Sequence, residues 1–138
     1  IGARLLMETL RQLKEGALQP REQDENAVTL APMLKKEDGR IDWNQSALAI
    51  ERRVRGLDPW PGAYTHIGNK LLKVHRAKVL PADGKGNPGE VVRADAGGLW
   101  VATGAGIIGL EEVQLENKRR LPGAEFIKGA RIRTGDRF

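Results

Sequence analysis

Arg55-Gly56-Leu57-Asp58-Pro59-Trp60-Pro61-Gly62-Ala63 is the most constrained run in the chain. Pro59 and Pro61 fix φ near −65° and bias Asp58 and Trp60 away from helix. Gly56 and Gly62 permit backbone shapes that other residues resist. A helical pattern ends here and an alternating one begins just after. The stretch reads as a rigid corner where a helix hands over to β-structure. Pro59, Trp60, Pro61 and Gly62 are expected to be structural, with Trp60 packed beneath a barrel.

Downstream, short alternating segments follow. Ala63 to Ile67 reads as a strand and Gly68-Asn69 as a turn. Lys70 to Leu80 is a longer strand of mixed phase. Leu72 and Val74 share one face, whereas Ala77 and Val79 share the other, which a bulge or a barrel bend reconciles. Pro81 to Pro88 reads as an exposed loop. Gly89 to Ala94, Leu99 to Ala102 and Ile107 to Leu115 read as strands separated by glycine turns, and Ala124 to Gly129 as one helical turn. Short strands with glycine turns predict a mainly β domain with helices, a small closed OB-like barrel.

Upstream of the corner, Ala47, Ile50, Val54 and Leu57 lie on one helical face, with Arg52, Arg53 and Arg55 mostly off it. Asp42 and Gln45 have capping-box spacing, so the helix is expected to start there, next to a structural Trp43. Lys35 to Arg40 reads as a charged turn and Ala27 to Pro32 as a short extended piece. Residues 17–30 form a polar connector, long for a loop inside a compact domain. Ala3 to Glu15 reads as a helix with Leu6, Leu10 and Leu13 on one stripe, stopped by Gly16.

The chain has 138 residues, 40% of them hydrophobic, enough for a modest core. No apolar run approaches the roughly 20 residues of a membrane span. There is no basic-then-apolar leader, and the first residue is Ile1, which reads as a piece of a longer cytoplasmic protein. Cysteine is absent, which removes disulfides, thiolate chemistry and Cys-based zinc sites.

Net charge is +5, unevenly spread: residues 1–30 carry −1 and residues 31–138 carry +6. The basic part points to an anionic partner, nucleic acid first. The candidate nucleic-acid-binding residues are Lys35, Lys36, Arg40, Arg52, Arg53, Lys73, Arg76, Lys78, Lys118, Arg119 and Arg120. Any one of them alone is ordinary solvated surface; the ensemble carries the reading. Lys70 on the same strand, and Arg131, Arg133 and Arg137 near the end, add to the basic character. Aromatic residues make up 4% of the chain, so the expectation is a reader of backbone and shape rather than of stacked bases.

Catalytic signals are absent. Gly104, Gly106 and Gly109 fit G-x-G-x-x-G, but Ile107 onward reads as strand where a dinucleotide site needs a helix, so a hairpin turn is the better account. His66 and His75 have no clustered acids at metal spacing and read as ordinary strand positions, and no metal site is expected.

Taken in order, these residues resemble a known family. Leu5 to Gly16, Gln23-Asp24, Thr29 to Pro32, Ile41-Asp42-Trp43, Arg55 to Ala63, Leu72-Lys73-Val74 with Ala77, Pro88-Gly89, Val101 to Gly104, Gln114, and Phe126 with Gly129 resemble the C-terminal half of the methionyl-tRNA formyltransferases. The resemblance implies an enzyme that moves a formyl group from formyl-tetrahydrofolate to the amino group of initiator methionyl-tRNA. It implies a Rossmann-like N-terminal domain with a catalytic Asn, His and Asp, none of which can be placed here, since no histidine precedes His66. It implies an OB-like C-terminal domain with a basic face toward the tRNA. On that basis residues 1–17 are the last helix of the catalytic domain, 18–36 a linker and 37–138 the tRNA-binding domain. The expected partners are initiator methionyl-tRNA and the catalytic domain, in a monomer, with no cofactor bound by this part and no catalysis from it alone. Met33 departs from the family, where lysine is frequent, so that role is in doubt or passes to Lys35 or Lys36. The alternatives are the accessory domain of a sugar- or folate-directed formyltransferase, acting as scaffold or interface, and a free-standing OB-type nucleic-acid binder.

Overall fold

The computed structural model describes residues 1–81 and 86–138. Part of the expected 81–88 loop therefore lies outside the described residues. The chain divides into two compact units, Ile1–Met33 and Leu34–Phe138. The first unit holds helix α1 (Gly2–Lys14) and a single 3₁₀ turn, Glu25–Ala27. The stretch expected to extend over Ala27 to Pro32 begins within that turn. No residue of α1 is buried; Leu5, Leu6, Met7, Leu10 and Leu13 are all exposed.

The second unit opens with a 3₁₀ turn, Lys36–Gly39, followed by α2 (Ala47–Gly56). Strands β1 (Ala63–Ile67), β2 (Lys70–Leu80), β3 (Val91–Asp95), β4 (Gly98–Ala102), β5 (Ile107–Leu115) and β6 (Leu121–Pro122) come next, then α3 (Gly123–Ala130). The strands form one antiparallel sheet in the order β1-β2-β5-β4-β3, with β6 paired to β5. The architecture is the expected mainly β, OB-like one, with a difference in closure. β1 and β3 stand at the two ends of the order and do not pair among the described residues. Each edge is capped by chain instead: Arg40 bridges to Tyr64 of β1, and Val91 of β3 donates to the Asp136 carbonyl of the C-terminal tail. Covering an edge satisfies its open backbone groups as strand closure would.

Helix α2 lies over β2 and β5. Its buried positions, Ala47, Ile50 and Val54, fall on the expected stripe. The helix begins later than expected. Ser46 is its cap, with Oγ accepting the Ala49 N–H at 3.2 Å. Asp42 closes a separate turn, its carboxylate accepting the Asn44 N–H at 3.0 Å and the Gln45 amide at 3.2 Å. Those bonds, Gln45 first, hold the Asp42 carboxyl below its usual range. The reason for the late start is non-local. The carbonyls of Trp43 and Gln45 both accept the Gly104 N–H, at 2.8 and 3.0 Å, which keeps this stretch out of the helix. Ser46→Ala is expected to cost about 1 kcal/mol, read from a urea melt, whereas Asp42→Ala leaves the helix's own cap intact.

The corner turns the chain as expected. Leu57 ends the α2 stripe at 9% exposed, Gly62 donates to the Leu57 carbonyl at 2.9 Å, and β1 starts at Ala63. Gly62 has φ +79°, where a side chain would be strained. Trp60 is the correction: it is 54% exposed rather than packed beneath the sheet. The buried tryptophan is Trp43, which stacks on Phe138 and donates to Thr65 Oγ1 at 3.2 Å. The core joins these residues to Leu72, Val74, Leu99, Ile108, Leu110, Val113 and Phe126. Phe126 and Ile127 are buried on α3, which has two turns rather than the single turn expected.

Candidate nucleic-acid interface

The mixed phase of β2 has a definite origin. Lys73 pairs with Gln114 and Val74 with Val113; then His75 is skipped on β2, Arg76 pairs with Glu112, Glu111 is skipped on β5, and Ala77 pairs with Leu110. Each strand therefore carries one extra residue. A bulge re-aims its side chain, and both extra residues here gather cations. Glu111 takes Arg76 Nε at 3.1 Å and Lys78 Nζ at 3.2 Å.

His75 takes the other set. Its Nδ1 lies 2.7 Å from Arg120 Nη2 and its Nε2 lies 3.1 Å from Gln114 Oε1. A guanidinium has only donors, so Nδ1 accepts and Nε2–H donates. The Gln114 amide in turn donates to the Lys118 carbonyl at 2.8 Å. This relay, Arg120 to His75 to Gln114 to Lys118, ties the β5–β6 connection to the outer face of β2. Arg120 is also 3.5 Å from Glu112, and Asp58 of the corner lies 3.9 Å from His75.

A second arrangement crosses the sheet. Arg40 bridges to Tyr64, Tyr64 pairs with Lys73, and Lys73 pairs with Gln114. Their chain neighbours Gly39, Ile41, Ala63, Thr65, Leu72, Val74 and Val113 are buried, so the four share the outward face. With strands about 4.8 Å apart, the row spans about 14 Å. Beyond Gln114, whose amide donates to the Lys118 carbonyl, Lys118 and Arg119 form no ion pair among the described residues.

The expected site residues thus fall into distinct groups. Lys73, the Lys118 main chain and, through His75, Arg120 are brought together around Gln114, with Arg119 between the last two in sequence. Arg40 joins them through Tyr64. Arg53 is structural, donating to the Asp38 carbonyl. Asp38 in turn accepts the Lys35 N–H at 2.7 Å, so Lys35 and Lys36 sit on that braced turn with exposed side chains. Arg52 is exposed on α2. Arg76 and Lys78 share Glu111. Sequence reasoning gave no weight to His75, Tyr64 or Glu111 and cited Gln114 only for resemblance. No local signal marks them, because their roles arise from register. Among the described residues no group of three His, Cys, Asp or Glu is placed to hold a metal ion, and no helix is long and apolar enough to cross a membrane.

Residues 33–131 match the family model described as formyl transferase, C-terminal domain. The chain belongs to that family. It is 48% identical over 135 residues to a methionyl-tRNA formyltransferase of Citrifermentans bemidjiense, a match covering 98% of this chain and 42% of the relative. A methionyl-tRNA formyltransferase of Geobacter sulfurreducens is 44% identical over 138 residues, covering 100% of this chain and 43% of the relative. The chain therefore spans less than half the length of these relatives. Among solved structures, HypX from Aquifex aeolicus in complex with tetrahydrofolic acid superposes with a TM-score of 0.59 at 25% identity, over 88% of this chain and 22% of that one. A HypX variant superposes with a TM-score of 0.62 at 23% identity, over 95% of this chain and 23% of that one, a likeness of fold.

Proposed function

We propose that this chain is the tRNA-binding C-terminal part of a methionyl-tRNA formyltransferase. The parent enzyme would transfer a formyl group from formyl-tetrahydrofolate to initiator methionyl-tRNA in the cytoplasm. The observation that carries the reading is the cross-strand row from Arg40 through Lys73 to Lys118 and Arg119. It sets Arg40 and Lys73 two strand spacings apart on one outward face, with Lys118 and Arg119 on the connection beside Gln114, an arrangement suited to separate phosphates rather than to a single compact anion. The names of the relatives at 44–48% identity support the choice of substrate.

Residues 1–17 would be the last helix of the catalytic domain, 18–36 a linker and 37–138 the RNA-binding domain. The partners are the initiator tRNA and the catalytic domain, in a monomer. Formyl transfer belongs to that other domain, and this chain alone is inactive.

Phosphate binding by this face predicts a steep fall in tRNA affinity as salt rises. In a fluorescence titration, Lys118→Glu combined with Arg119→Glu is expected to weaken binding and to reduce the logarithmic salt slope by about 2. An unchanged slope would remove the face from this connection. The likeness to HypX keeps one rival in view, an accessory domain of a folate-directed enzyme. That rival predicts no salt-dependent RNA binding at all.

A further inference from the structure

A groove lies at the β5–β6 connection and shares Lys118 and Arg119 with the proposed phosphate face. It has a volume of about 260 Å³ and opens between the end of β5, β6 and the last turn of α3. Leu115, Leu121, Phe126, Gly129 and Ala130 make its mostly apolar wall, and Lys118 and Arg119 complete it. Clefts for drug-sized ligands start near 300 Å³, so this one suits a single flat ring system. It is too small for the several anchors of a docked helix.

Its polar features are of two kinds. Lys118 and Arg119 supply positive charge at its edge. The last turn of α3 supplies acceptors: Arg131 ends the helix in the left-handed region, and the carbonyls of the lining residues Gly129 and Ala130 receive no hydrogen bond among the described residues. A helix leaves its last carbonyls unpaired unless something caps them. A ligand matching all three features has a flat apolar body, N–H donors on its rim and a negative charge alongside.

We propose that this groove receives one unpaired nucleotide of the bound RNA, the base against Leu121 and Gly129 and its phosphate on Lys118 and Arg119. Amino or imino N–H groups of the base donate to the free carbonyls of α3. The inference rests on the RNA-binding reading and refines it: the domain reads paired RNA by phosphates and one splayed base by shape. An acidic peptide side chain would meet the cations but lacks a flat body to lie against the apolar wall.

Gly129 gives a test that spares the fold. A Cβ there meets nothing within 4 Å, Gly129 lines the groove and leucine is the better helix former, so Gly129→Leu is expected to narrow the groove while sparing the helix. The full chain is titrated by fluorescence anisotropy with a stem-loop RNA and with a blunt duplex of the same phosphate number. Gly129→Leu is expected to weaken stem-loop binding about tenfold and to leave duplex binding unchanged, whereas Lys118→Glu with Arg119→Glu weakens both. Unchanged stem-loop affinity, or an equal loss on both RNAs, overturns the groove's role while leaving the RNA reading standing. A Leu-containing acidic peptide that binds the wild type but not Gly129→Leu, with RNA binding unaffected, overturns it in favour of a protein partner. If the wild type binds neither RNA at low salt, the RNA reading itself fails. As a second measurement, adenosine monophosphate titrated into the wild-type chain should shift the amide signals of Gly129 and Ala130. No shift at either residue also overturns the proposal.

Discussion

Trp43→Ala is expected to lower the unfolding free energy by about 4 kcal/mol. Trp43 is 7% exposed, its ring lies 5.9 Å from that of Phe138, and its indole N–H donates to the buried Thr65 hydroxyl at 3.2 Å. Truncation removes the largest side chain holding the C-terminal tail to the start of the domain. It also leaves Thr65 without its donor. That tail caps the β3 edge through Asp136 and Val91, so the loss spreads from a cavity to an open sheet edge. A urea melt followed by circular dichroism measures it. A loss below about 1 kcal/mol would show that the tail is held by its backbone bonds alone. Trp60→Ala is the contrast: with a half-exposed ring it should move the melt little, whatever its effect on binding.

Gly104→Ala is expected to cost about 3 kcal/mol. The Gly104 backbone lies against that of Asn44, and a Cβ there would sit 2.6 Å from the Asn44 carbonyl carbon and closer still to its oxygen. The obstacle is main chain, which no rotamer change relieves. The same contact sets the fold upstream of α2. Gly104 donates to Trp43 and Gln45, and Ala47 donates to Ala105 at 2.9 Å. Separating the two backbones therefore weakens the anchor of α2 along with the β4–β5 turn. For a domain of this size the melting temperature should fall by roughly 10 °C, seen in a thermal scan. A shift of a degree or two would mean that the turn relaxes freely away from Asn44.

How far the interface was legible depends on what each residue needed. The cations stand out because charge is a property of composition, and the connection around Lys118 to Arg120 is a visible run. The strand phase of Lys70 to Leu80 signals a bulge or a bend, because alternation breaks in the sequence itself. Its location at His75, and the compensating skip at Glu111, were not visible, since a bulge is defined against a partner strand far along the chain. The cap of α2 is Ser46 rather than the expected Asp42 for a similar reason. Both have side chains that cap helices well, and only the bonds from Gly104 decide which one does.

The sequence by itself determined the order of elements, the corner between α2 and β1, the basic half of the chain and the family. Those follow from local periodicity, from the fixed φ of proline and from residue types in order. Only the tertiary structure decided which tryptophan is buried and which cations remain available. Trp43 and Trp60 are the same residue type, but Phe138 and Thr65 close over one while the other stays 54% exposed. Arg76 and Lys78 look as available as Lys118 until the β2–β5 register places Glu111 beside them. Burial and ion pairing are set by partners distant in sequence, which local pattern does not encode.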